Sequence, residues 1–374
     1  MRIGTPGFVA QRLTEGREAR GLAQTALSEL TGIKSQSISH YEQGRQSPSP
    51  EALALLCEKL ELPERYFLQS FPGHSAAGVF FRSYRPTARA ARLKAERRLG
   101  WVKEIAGYLR KHIDLPIARV PSYPVGPDGA DQVEEAAKDC RDALKLGLAP
   151  LNDTVLLLEN IGCIVAGSGI ECETEGAYSQ WDGGTPFVML ADGISSARLR
   201  FDAAHELGHM VMHRGMAEAQ SRDAETHRKV ESQADRFARA LLLPAKTFGG
   251  EVWAATIDAL VSLKKVWNCP VAEMVVRCGE IGVFDKDQVR RALVNHARRG
   301  WRTREPHDDE VEPETPRMLA RGIRLLIEEG AKQPHSVLTD LGLAAADVED
   351  LAGLPRGYFA RSSMQNQTTL RLRP

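Results

Sequence analysis

The five residues from His205 to His209 restrict the fold and chemistry of this chain more than any other segment. They read His-Glu-Leu-Gly-His, so two histidines stand four positions apart and Glu206 directly follows the first. On a helix, positions i and i+4 lie on one face, which lets both imidazoles bind one metal ion. The pattern predicts a helix over 198–213 with a metal site, where Glu206 can take a proton from a metal-bound water.

A catalytic zinc ion needs three protein ligands and one open position, so the third ligand must come from another element. Glu231 is the candidate, because it stands in a second predicted helix that has an apolar stripe and ends at Pro244. Asp235 follows one turn later and can hydrogen-bond the second ring nitrogen of a ligating histidine. The sequence therefore predicts one Zn²⁺ ion on His205, His209 and Glu231, with Mn²⁺ as the alternative divalent ion.

Two further histidines lie close to this motif. His213 stands one turn after His209, but histidines at i, i+4 and i+8 drift around a straight helix. No glycine turn redirects His213 as the three-histidine zinc proteases require, so we expect a packing or hydrogen-bonding role beside the ligands, with ligation as the alternative. We expect His227 to be a solvated surface histidine. A chance motif is the alternative to the whole site, but burying two histidines and a glutamate without a partner would be costly.

A second pattern lies near the N-terminus, in residues 1–70. The segments Arg20–Ile33 and Lys34–Arg45 predict two short helices joined by a glycine turn, with the second as a DNA-recognition helix. The outward side chains of that helix are short and polar, which suits base edges in a major groove. Ala23 stands where a serine would normally cap the first of these helices. The predicted DNA-contacting residues are Ser35, Gln36, Ser37 and His40 for bases and Gln24 for a phosphate.

Two alternatives to this interpretation stay open. The helical domain could have lost DNA binding and serve only for dimerisation or for docking a substrate. The strongly basic stretch 82–112 could extend the phosphate footprint. We favour a different role for that stretch, an amphipathic linker helix whose apolar face packs on the domain that contains the metal site. The residues of that apolar face are Leu93, Trp101, Ile105 and Leu109.

The sequence divides into five regions and predicts a mainly α fold with a small β-sheet (α+β). A basic helical linker, 71–130, follows the N-terminal domain, and the metal site falls in a domain over 131–255. A helical segment, 256–300, precedes an acidic linker and a small helical unit over 301–374. We detect no internal repeat. The β-like runs of the metal-site domain are Val155–Leu158, Ile161–Ala166 and Phe187–Leu190.

Composition narrows the class of protein. The formal net charge is zero, with 49 Lys and Arg against 49 Asp and Glu, so DNA binding must depend on a local patch. The six cysteines form no C-x-x-C pair, which indicates buried thiols in a reducing compartment. No secretion signal is recognisable, and no apolar run approaches the roughly 18 residues of a membrane helix. We therefore expect a cytoplasmic protein without membrane contact.

Two families are similar to these segments. Residues 10–65 resemble the phage-repressor (Xre) type of helix-turn-helix. Residues 150–290 resemble the ImmA/IrrE metallopeptidases, through Arg200–His209 and through Glu231–Ala238 ahead of Pro244. The resemblance implies a five-helix repressor-like domain fused to a gluzincin-like zinc metallopeptidase domain.

The same resemblance implies how a substrate binds and what it is. The edge strand of the small sheet, expected at Phe187–Leu190, would receive the substrate backbone as an added strand. The implied substrate is a helix-turn-helix repressor, whose cleavage in trans or in cis releases stress, DNA-damage or mobile-element genes.

Two functions therefore compete. The first is a zinc metallo-endopeptidase that also binds double-stranded DNA. The second is a transcription regulator or antitoxin whose peptidase-like domain is a sensor without proteolysis. Retention of His205, Glu206, His209 and Glu231 together favours the first, since a relic has no reason to keep both the base and the ligands. Whether the chain forms a homodimer is left open.

Overall fold

The structure is a computed structural model that describes residues 4–73, 79–81, 89–171, 177–214 and 223–365. Helices make up most of the described residues, and four strands form one sheet. The prediction of a mainly α fold with a small β-sheet is confirmed. No helix in these ranges has both the length and the apolar character needed to cross a membrane.

The N-terminal domain consists of five helices, as predicted. Leu27 and Ile38 are fully buried in its core. Gly32 ends the second helix with a φ of 70°, a left-handed conformation that glycine adopts without strain, and thereby turns the chain into the third helix. The five helices are α1 (Ala10–Ala19), α2 (Gln24–Thr31), α3 (Ser35–Glu42), α4 (Pro50–Leu60) and α5 (Glu64–Leu68).

Within the described residues, the remaining elements are the sheet, thirteen further α-helices and a short 3₁₀ helix, Ala130–Gln132. The strands are β1 (Val79–Phe81), β2 (Ile164–Glu171), β3 (Ala177–Asp182) and β4 (Thr185–Asp192). The helices are α6 (Arg89–Leu109), α7 (Val133–Ala143), α8 (Thr154–Asn160), α9 (Ser196–Met212), α10 (Ala224–Leu242), α11 (Ala245–Glu251), α12 (Ile257–Trp267), α13 (Val271–Glu280), α14 (Lys286–Arg298), α15 (Met318–Glu328), α16 (Pro334–Leu341), α17 (Ala345–Ala352) and α18 (Tyr358–Gln365).

The strand order of the sheet is β1-β3-β4-β2. β4 pairs in parallel with β2 and antiparallel with β3, and β1 pairs antiparallel with the outer edge of β3. The prediction that Phe187–Leu190 forms the edge strand is therefore wrong, because neighbouring strands occupy both sides of β4. A buried central strand and a buried edge strand have the same apolar pattern in sequence.

The run Val155–Leu158 was also misassigned, since it lies in α8. Asp153 caps this helix by accepting a hydrogen bond from the backbone of Leu156 at 2.7 Å. The carboxylate of Glu314 accepts from the backbone nitrogens of the first two residues of α8. A short apolar run occurs both in strands and in buried helices, so the run alone does not distinguish them. Here the cap at Asp153 identifies the start of a helix.

The two faces of the sheet pack into two hydrophobic cores. Val165 and Val188 face α9 and the helices that follow it. Ile164 and Met189 face the other way and join a core that α6, the N-terminal domain and the C-terminal helices share. Successive residues of a strand point to opposite faces, so one small sheet connects the two halves of the protein.

The helix predicted in the basic stretch is α6, and its apolar face is buried. Trp101, Ile105 and Leu109 are fully buried, whereas Leu93 is half-buried. The N-terminal domain is fixed against this helix, because the guanidinium of Arg12 donates to both carboxylate oxygens of Glu104 at 2.7 and 2.8 Å. α6 therefore acts as the structural support between the N-terminal domain and the sheet.

Parts of the acidic segment after residue 300, which the sequence predicts to be a linker, pack tightly against the rest of the protein. Glu305 and Asp308 both accept hydrogen bonds from the ammonium of Lys264, at 2.7 and 2.6 Å. Glu314 pairs with Arg200 of α9, and both side chains are largely buried. These carboxylates neutralise cations buried in the rest of the protein, which composition alone could not indicate.

The C-terminal helices repeat the spacing of the N-terminal ones. α2 and α3 each span eight residues and are separated by Gly32 and two further residues. α16 and α17 also span eight residues each, with Gly342 in the left-handed conformation at the same place. Between 24–42 and 334–352 only this glycine is identical, which explains why the sequence showed no repeat. We refer to α2 and α3 as the N-terminal helix pair, and to α16 and α17 as the C-terminal helix pair.

Candidate metal centre and DNA-binding helix

The candidate metal site is built on α9, the helix predicted from the His-Glu-Leu-Gly-His motif. Ser195 caps the helix by accepting a hydrogen bond from the backbone of Arg198, and every residue of α9 except Arg198 is buried. Gly208 allows α10 to approach closely, since a Cβ atom at this position would stand 3.0 Å from the ring of Phe237. The motif glycine therefore contributes to the short distance between the helix with the histidines and the helix with Glu231.

Three predicted ligands converge on one point between α9 and α10. The Nε2 atoms of His205 and His209 are 3.0 Å apart. The two carboxylate oxygens of Glu231 lie 3.4 Å from the Nε2 of His205 and 3.3 Å from the Nε2 of His209. Within the described part of the chain, this trio is the one cluster of histidine, cysteine and carboxylate side chains with metal-ligand spacing.

The spacing fits a tetrahedral zinc ion. With metal–ligand bonds of about 2.0–2.1 Å, neighbouring ligand atoms of such an ion stand roughly 3.3 Å apart. The three ligand distances, 3.0, 3.3 and 3.4 Å, lie close to that value. Both buried carboxylate oxygens of Glu231 also have no hydrogen-bond donor among the described residues. A buried carboxylate without donors is costly, and a shared cation satisfies it.

The predicted proton acceptor, Glu206, is buried on the sheet side of α9. Burial raises its pKa above the ordinary 4.5, although His209, His205 and the hydroxyl of Ser179 oppose the rise. The Oε2 of Glu206 has no hydrogen-bond partner among the described residues. Ser179 lies on β3, so this strand borders the site directly.

The remaining ring nitrogens of the two histidines meet different groups. The Nδ1 of His205 lies 2.9 Å from the Oδ1 of Asp235, as the sequence suggested. The Nδ1 of His209 lies 3.1 Å from the Nδ1 of His213, and the Nε2 of His213 lies 2.9 Å from the Oε1 of Gln233. Burial, followed by the neighbouring His209, lowers the pKa of His213 to about 3, so this ring is neutral. His213 therefore hydrogen-bonds a candidate ligand and faces away from the point of convergence.

His227 is not the solvated histidine that the sequence predicted. Its side chain is only 13% exposed, and its Nδ1 lies 3.9 Å from a carboxylate oxygen of Glu231. The error has a simple cause, because His227 and Glu231 stand four residues apart on α10 and so share one face of that helix. His227 borders the candidate metal site.

Sequence reasoning missed Gln233 and Ser179. Gln233 did leave a signal, since a glutamine stands among the buried apolar residues Val230, Ala234 and Phe237 of α10. A polar side chain on a buried helix face needs a hydrogen-bond partner, and such a position deserved a prediction. Ser179 left no signal, because only the pairing of β3 places it beside Glu206.

The predicted recognition helix, α3, is present, and Ile38 is its one fully buried residue. Gln36 is exposed, while Ser35, Ser37 and His40 are half-buried. Gln24 has an internal partner, since its amide nitrogen donates to the carboxylate of Glu42 at 2.6 Å. The phosphate contact proposed for Gln24 stays a prediction, as do the four base contacts.

Several basic side chains of α6 are engaged inside the protein. Arg97 pairs with Glu18 of α1 at 2.8 Å, and Lys103 pairs with Asp182 of β3 at 3.1 Å. Arg98 is buried and hydrogen-bonds Asp350. These cations are neutralised by the protein's own carboxylates, which favours the interpretation of α6 as a packed helix over a phosphate-binding surface.

Comparison with known families agrees with both parts of the chain. Residues 171–278 match the model of the Peptidase M78 family, described as the IrrE N-terminal-like domain. That range contains all four residues predicted for metal binding and catalysis. Residues 13–67 match the helix-turn-helix family HTH_3. No curated protein matches the chain significantly. One segment of the chain is thus similar to helix-turn-helix domains and another to IrrE-like M78 peptidase domains, which is the fusion that its motifs predicted.

Proposed function

We propose that this protein is a cytoplasmic, DNA-binding zinc metallo-endopeptidase that cleaves a helix-turn-helix transcriptional repressor. The observation that carries the proposal is the convergence of His205, His209 and Glu231 beside the buried carboxylate of Glu206. The match to a peptidase family supports a peptide bond as the target. Cleavage of such a repressor would release stress, DNA-damage or mobile-element genes.

Each residue of the site has a distinct role in this proposal. His205, His209 and Glu231 hold the ion, and Asp235 orients His205. A bound zinc ion supplies Lewis acidity, which lowers the pKa of a coordinated water and polarises a carbonyl group. Glu206 accepts the proton of the attacking water and returns it to the leaving amine. Because Glu206 is buried against β3, its carboxylate has a fixed position from which to do so.

A substrate strand would pair with the outer edge of β3, the strand that contains Ser179. Ser179 neighbours Glu206, so a chain added at this edge passes beside the catalytic carboxylate. Residues 79–81 of the protein's own linker pair with this edge, with Phe80 opposite Ser179. A substrate supplied in trans must therefore displace β1. Phe80→Pro, which disfavours strand pairing, should accelerate cleavage in trans.

The decisive experiment replaces one carboxylate by its amide. Glu206→Gln keeps the size of the side chain but cannot accept a proton, and loss of a general base typically lowers the rate by ~10²–10⁴. Cells that carry this variant should accumulate an uncut helix-turn-helix repressor in a proteomic comparison with wild type. Glu225→Gln, an exposed carboxylate on α10, is the matched control and should behave as wild type.

The competing function predicts a different result. A regulator that acts only by occupying DNA would give the same transcriptional response in the Glu206→Gln variant as in wild type, and the peptidase proposal would then be wrong. The metal is tested separately, by analysis of the purified chain. We expect about one zinc-class ion per chain in wild type and a sharp loss in Glu231→Ala. Full occupancy in that variant would place the third ligand elsewhere.

A further inference from the structure

Each histidine of the metal site must present an unprotonated nitrogen to the ion, and the spacing of the two residues does not ensure this. A neutral imidazole carries one proton, on either Nδ1 or Nε2, and only the unprotonated nitrogen can bind a metal ion. The Nε2 atoms of His205 and His209 point at the site, so both rings must carry the proton on Nδ1 when they bind an ion there. Each Nδ1 then needs a hydrogen-bond acceptor.

The Nδ1 atoms of His205 and His209 meet different groups. The carboxylate of Asp235 accepts from the Nδ1 of His205 at 2.9 Å. The Nδ1 of His209 instead faces another imidazole nitrogen, the Nδ1 of His213, at 3.1 Å. Two ring nitrogens at this distance form a hydrogen bond only if one of them carries a proton and the other does not. The geometry of this pair alone does not say which one donates.

The next contact fixes the direction. The Nε2 of His213 lies 2.9 Å from the side-chain oxygen of Gln233, and an amide oxygen can only accept. His213 must therefore carry its proton on Nε2, so its Nδ1 is unprotonated and can accept. The Nδ1 of His209 is then the donor, and the Nε2 of His209 is unprotonated.

The orientation of the Gln233 amide is fixed in turn by the backbone. Its nitrogen donates to the carbonyl oxygens of Gly126 at 2.8 Å and Pro127 at 3.1 Å. A flipped amide would place its oxygen against these two carbonyl oxygens and its nitrogen towards His213, losing both hydrogen bonds. Gln233, His213 and His209 are each at most 3% exposed, so water cannot readily replace these partners.

We infer that Gln233 and His213 are positioning residues, which transmit the polarity of two backbone carbonyls to the metal-binding nitrogen of His209. This inference rests on the proposed metal site but not on peptidase activity. It distinguishes the two histidines: a carboxylate orients His205, while a neutral chain of two side chains, Gln233 and His213, orients His209. The neutral chain holds the ring without adding a negative charge to a site that already contains Glu206 and Glu231.

The first test reads the tautomer directly. Long-range ¹H–¹⁵N correlation spectra of the full chain, labelled with ¹⁵N-histidine and free of metal, should show His209 protonated at Nδ1 and His213 protonated at Nε2. The opposite assignment for either ring would overturn the inference. In Gln233→Leu, the His209 signal should shift towards a mixture of tautomers, while Ser232→Ala, an exposed neighbour on α10, should leave it unchanged.

The second test measures zinc affinity by competition with a chelator. Loss of such outer contacts typically lowers metal affinity 10–100-fold, and we expect a decrease in this range for His213→Leu. His213→Asn should recover most of the affinity, because the Asn side-chain oxygen can accept from the Nδ1 of His209 much as the imidazole does. A purely structural His213 would give two equally weakened variants, which would count against the inference.

The outcomes separate this inference from the proposed function. If the tautomers and affinities behave as expected but no repressor is cut, the relay is correct and the peptidase proposal fails. If His213→Leu does not fold, the tautomers of the wild-type chain still decide. A zinc affinity of His213→Leu within about twofold of wild type would overturn the inference whatever the activity.

Discussion

The N-terminal and C-terminal helix pairs have the same helix lengths and the same spacing, but opposite surroundings. In α3 of the N-terminal pair only Ile38 is buried. In α17 of the C-terminal pair five of eight residues are buried, namely Asp347, Val348, Glu349, Leu351 and Ala352. The first pair leaves its second helix available to a partner, whereas the second pair uses that helix to pack against β2 and α6.

The chemistry of equivalent positions follows this difference. Ser37 of α3 corresponds to Asp347 of α17, which accepts two hydrogen bonds from Arg20 at 2.6 and 2.7 Å. His40 corresponds to Asp350, which hydrogen-bonds Arg98. Short polar side chains suit a DNA groove, while acidic ones would repel phosphates and here bind internal arginines. Spacing thus specifies the helix pair, and the side chains on its second helix specify what it binds.

The largest effect should come from removing the acidic contact of the C-terminal pair. Asp347→Ala removes a largely buried carboxylate that pairs with the guanidiniums of Arg20 and Arg98. We expect this loss to lower the free energy of unfolding by about 3 kcal/mol. Ser37→Ala, at the equivalent position, should change stability by less than ~0.5 kcal/mol. Urea denaturation of both variants measures the difference. Equal losses would mean that the two helices are not used differently.

The next effect concerns DNA. Gln36→Ala should reduce discrimination between specific and random duplex by about 1–3 kcal/mol, while salt-dependent total binding persists. Ala346→Gln places the same side chain at the equivalent exposed position of α17 and should leave DNA binding unchanged. Fluorescence anisotropy with the full chain at two salt concentrations tests both. A wild-type chain without DNA affinity at low salt would show that the N-terminal pair is also a docking module.

A smaller effect is expected at the N-caps of α2 and α16, where the two helix pairs are alike. Neither α2 nor α16 has a side-chain cap, and the N-cap residues Ala23 and Gln333 both have extended backbone that suits a capping serine. Ala23→Ser and Gln333→Ser should each raise the unfolding free energy by up to about 1 kcal/mol. Thermal unfolding can compare them. A gain in one variant only would show that the two helix starts differ more than their backbones do.

The smallest effect should depend on pH. The hydrogen bond from Lys332 lowers the pKa of Asp340 on α16 below its ordinary 3.8, whereas Leu30 at the equivalent position of α2 carries no charge. Because the pKa of Asp340 is lower in the folded than in the unfolded protein, its carboxylate stabilises the fold above pH 3.8. This stabilisation is lost as the pH falls through the pKa of the folded state. Asp340→Asn should therefore cost less than ~0.5 kcal/mol at pH 7, since the carboxylate is partly exposed. The difference should shrink towards pH 3 in urea titrations, whereas a constant difference would exclude a charge effect.

Local patterns in the sequence were sufficient to predict the convergence of the candidate metal ligands and the presence of helix α3. His205 and His209 stand one helical turn apart, so their convergence is determined within five residues, and Glu231 lies on the adjacent helix. The two family matches agree with these predictions.

Features that depend on distant pairing were not predictable. β4 is central because β2 and β3 pair with it on both sides, and Ser179 borders Glu206 for the same reason. Gly342 shares its position with Gly32, but the residues around the two glycines differ too much for the repeat to be recognised. A sequence pattern indicates whether an element is a helix or a strand and which of its faces is buried. It does not indicate which other element packs against that face.

The contact between Arg20 and Asp347 joins residues 327 positions apart, and this separation has a consequence for how the protein is made. At about 5–20 residues per second, translation places Asp347 in the chain on the order of 20 to 60 s after Arg20. The N-terminal helices thus leave the ribosome well before the helices that complete their core. During that interval the recognition helix is already made, while Arg20 still lacks its acidic partner. If the N-terminal domain binds DNA as proposed, a nascent chain can do so before this domain is fixed to the rest of the protein. The order of synthesis then separates DNA binding from domain packing, which the finished fold combines.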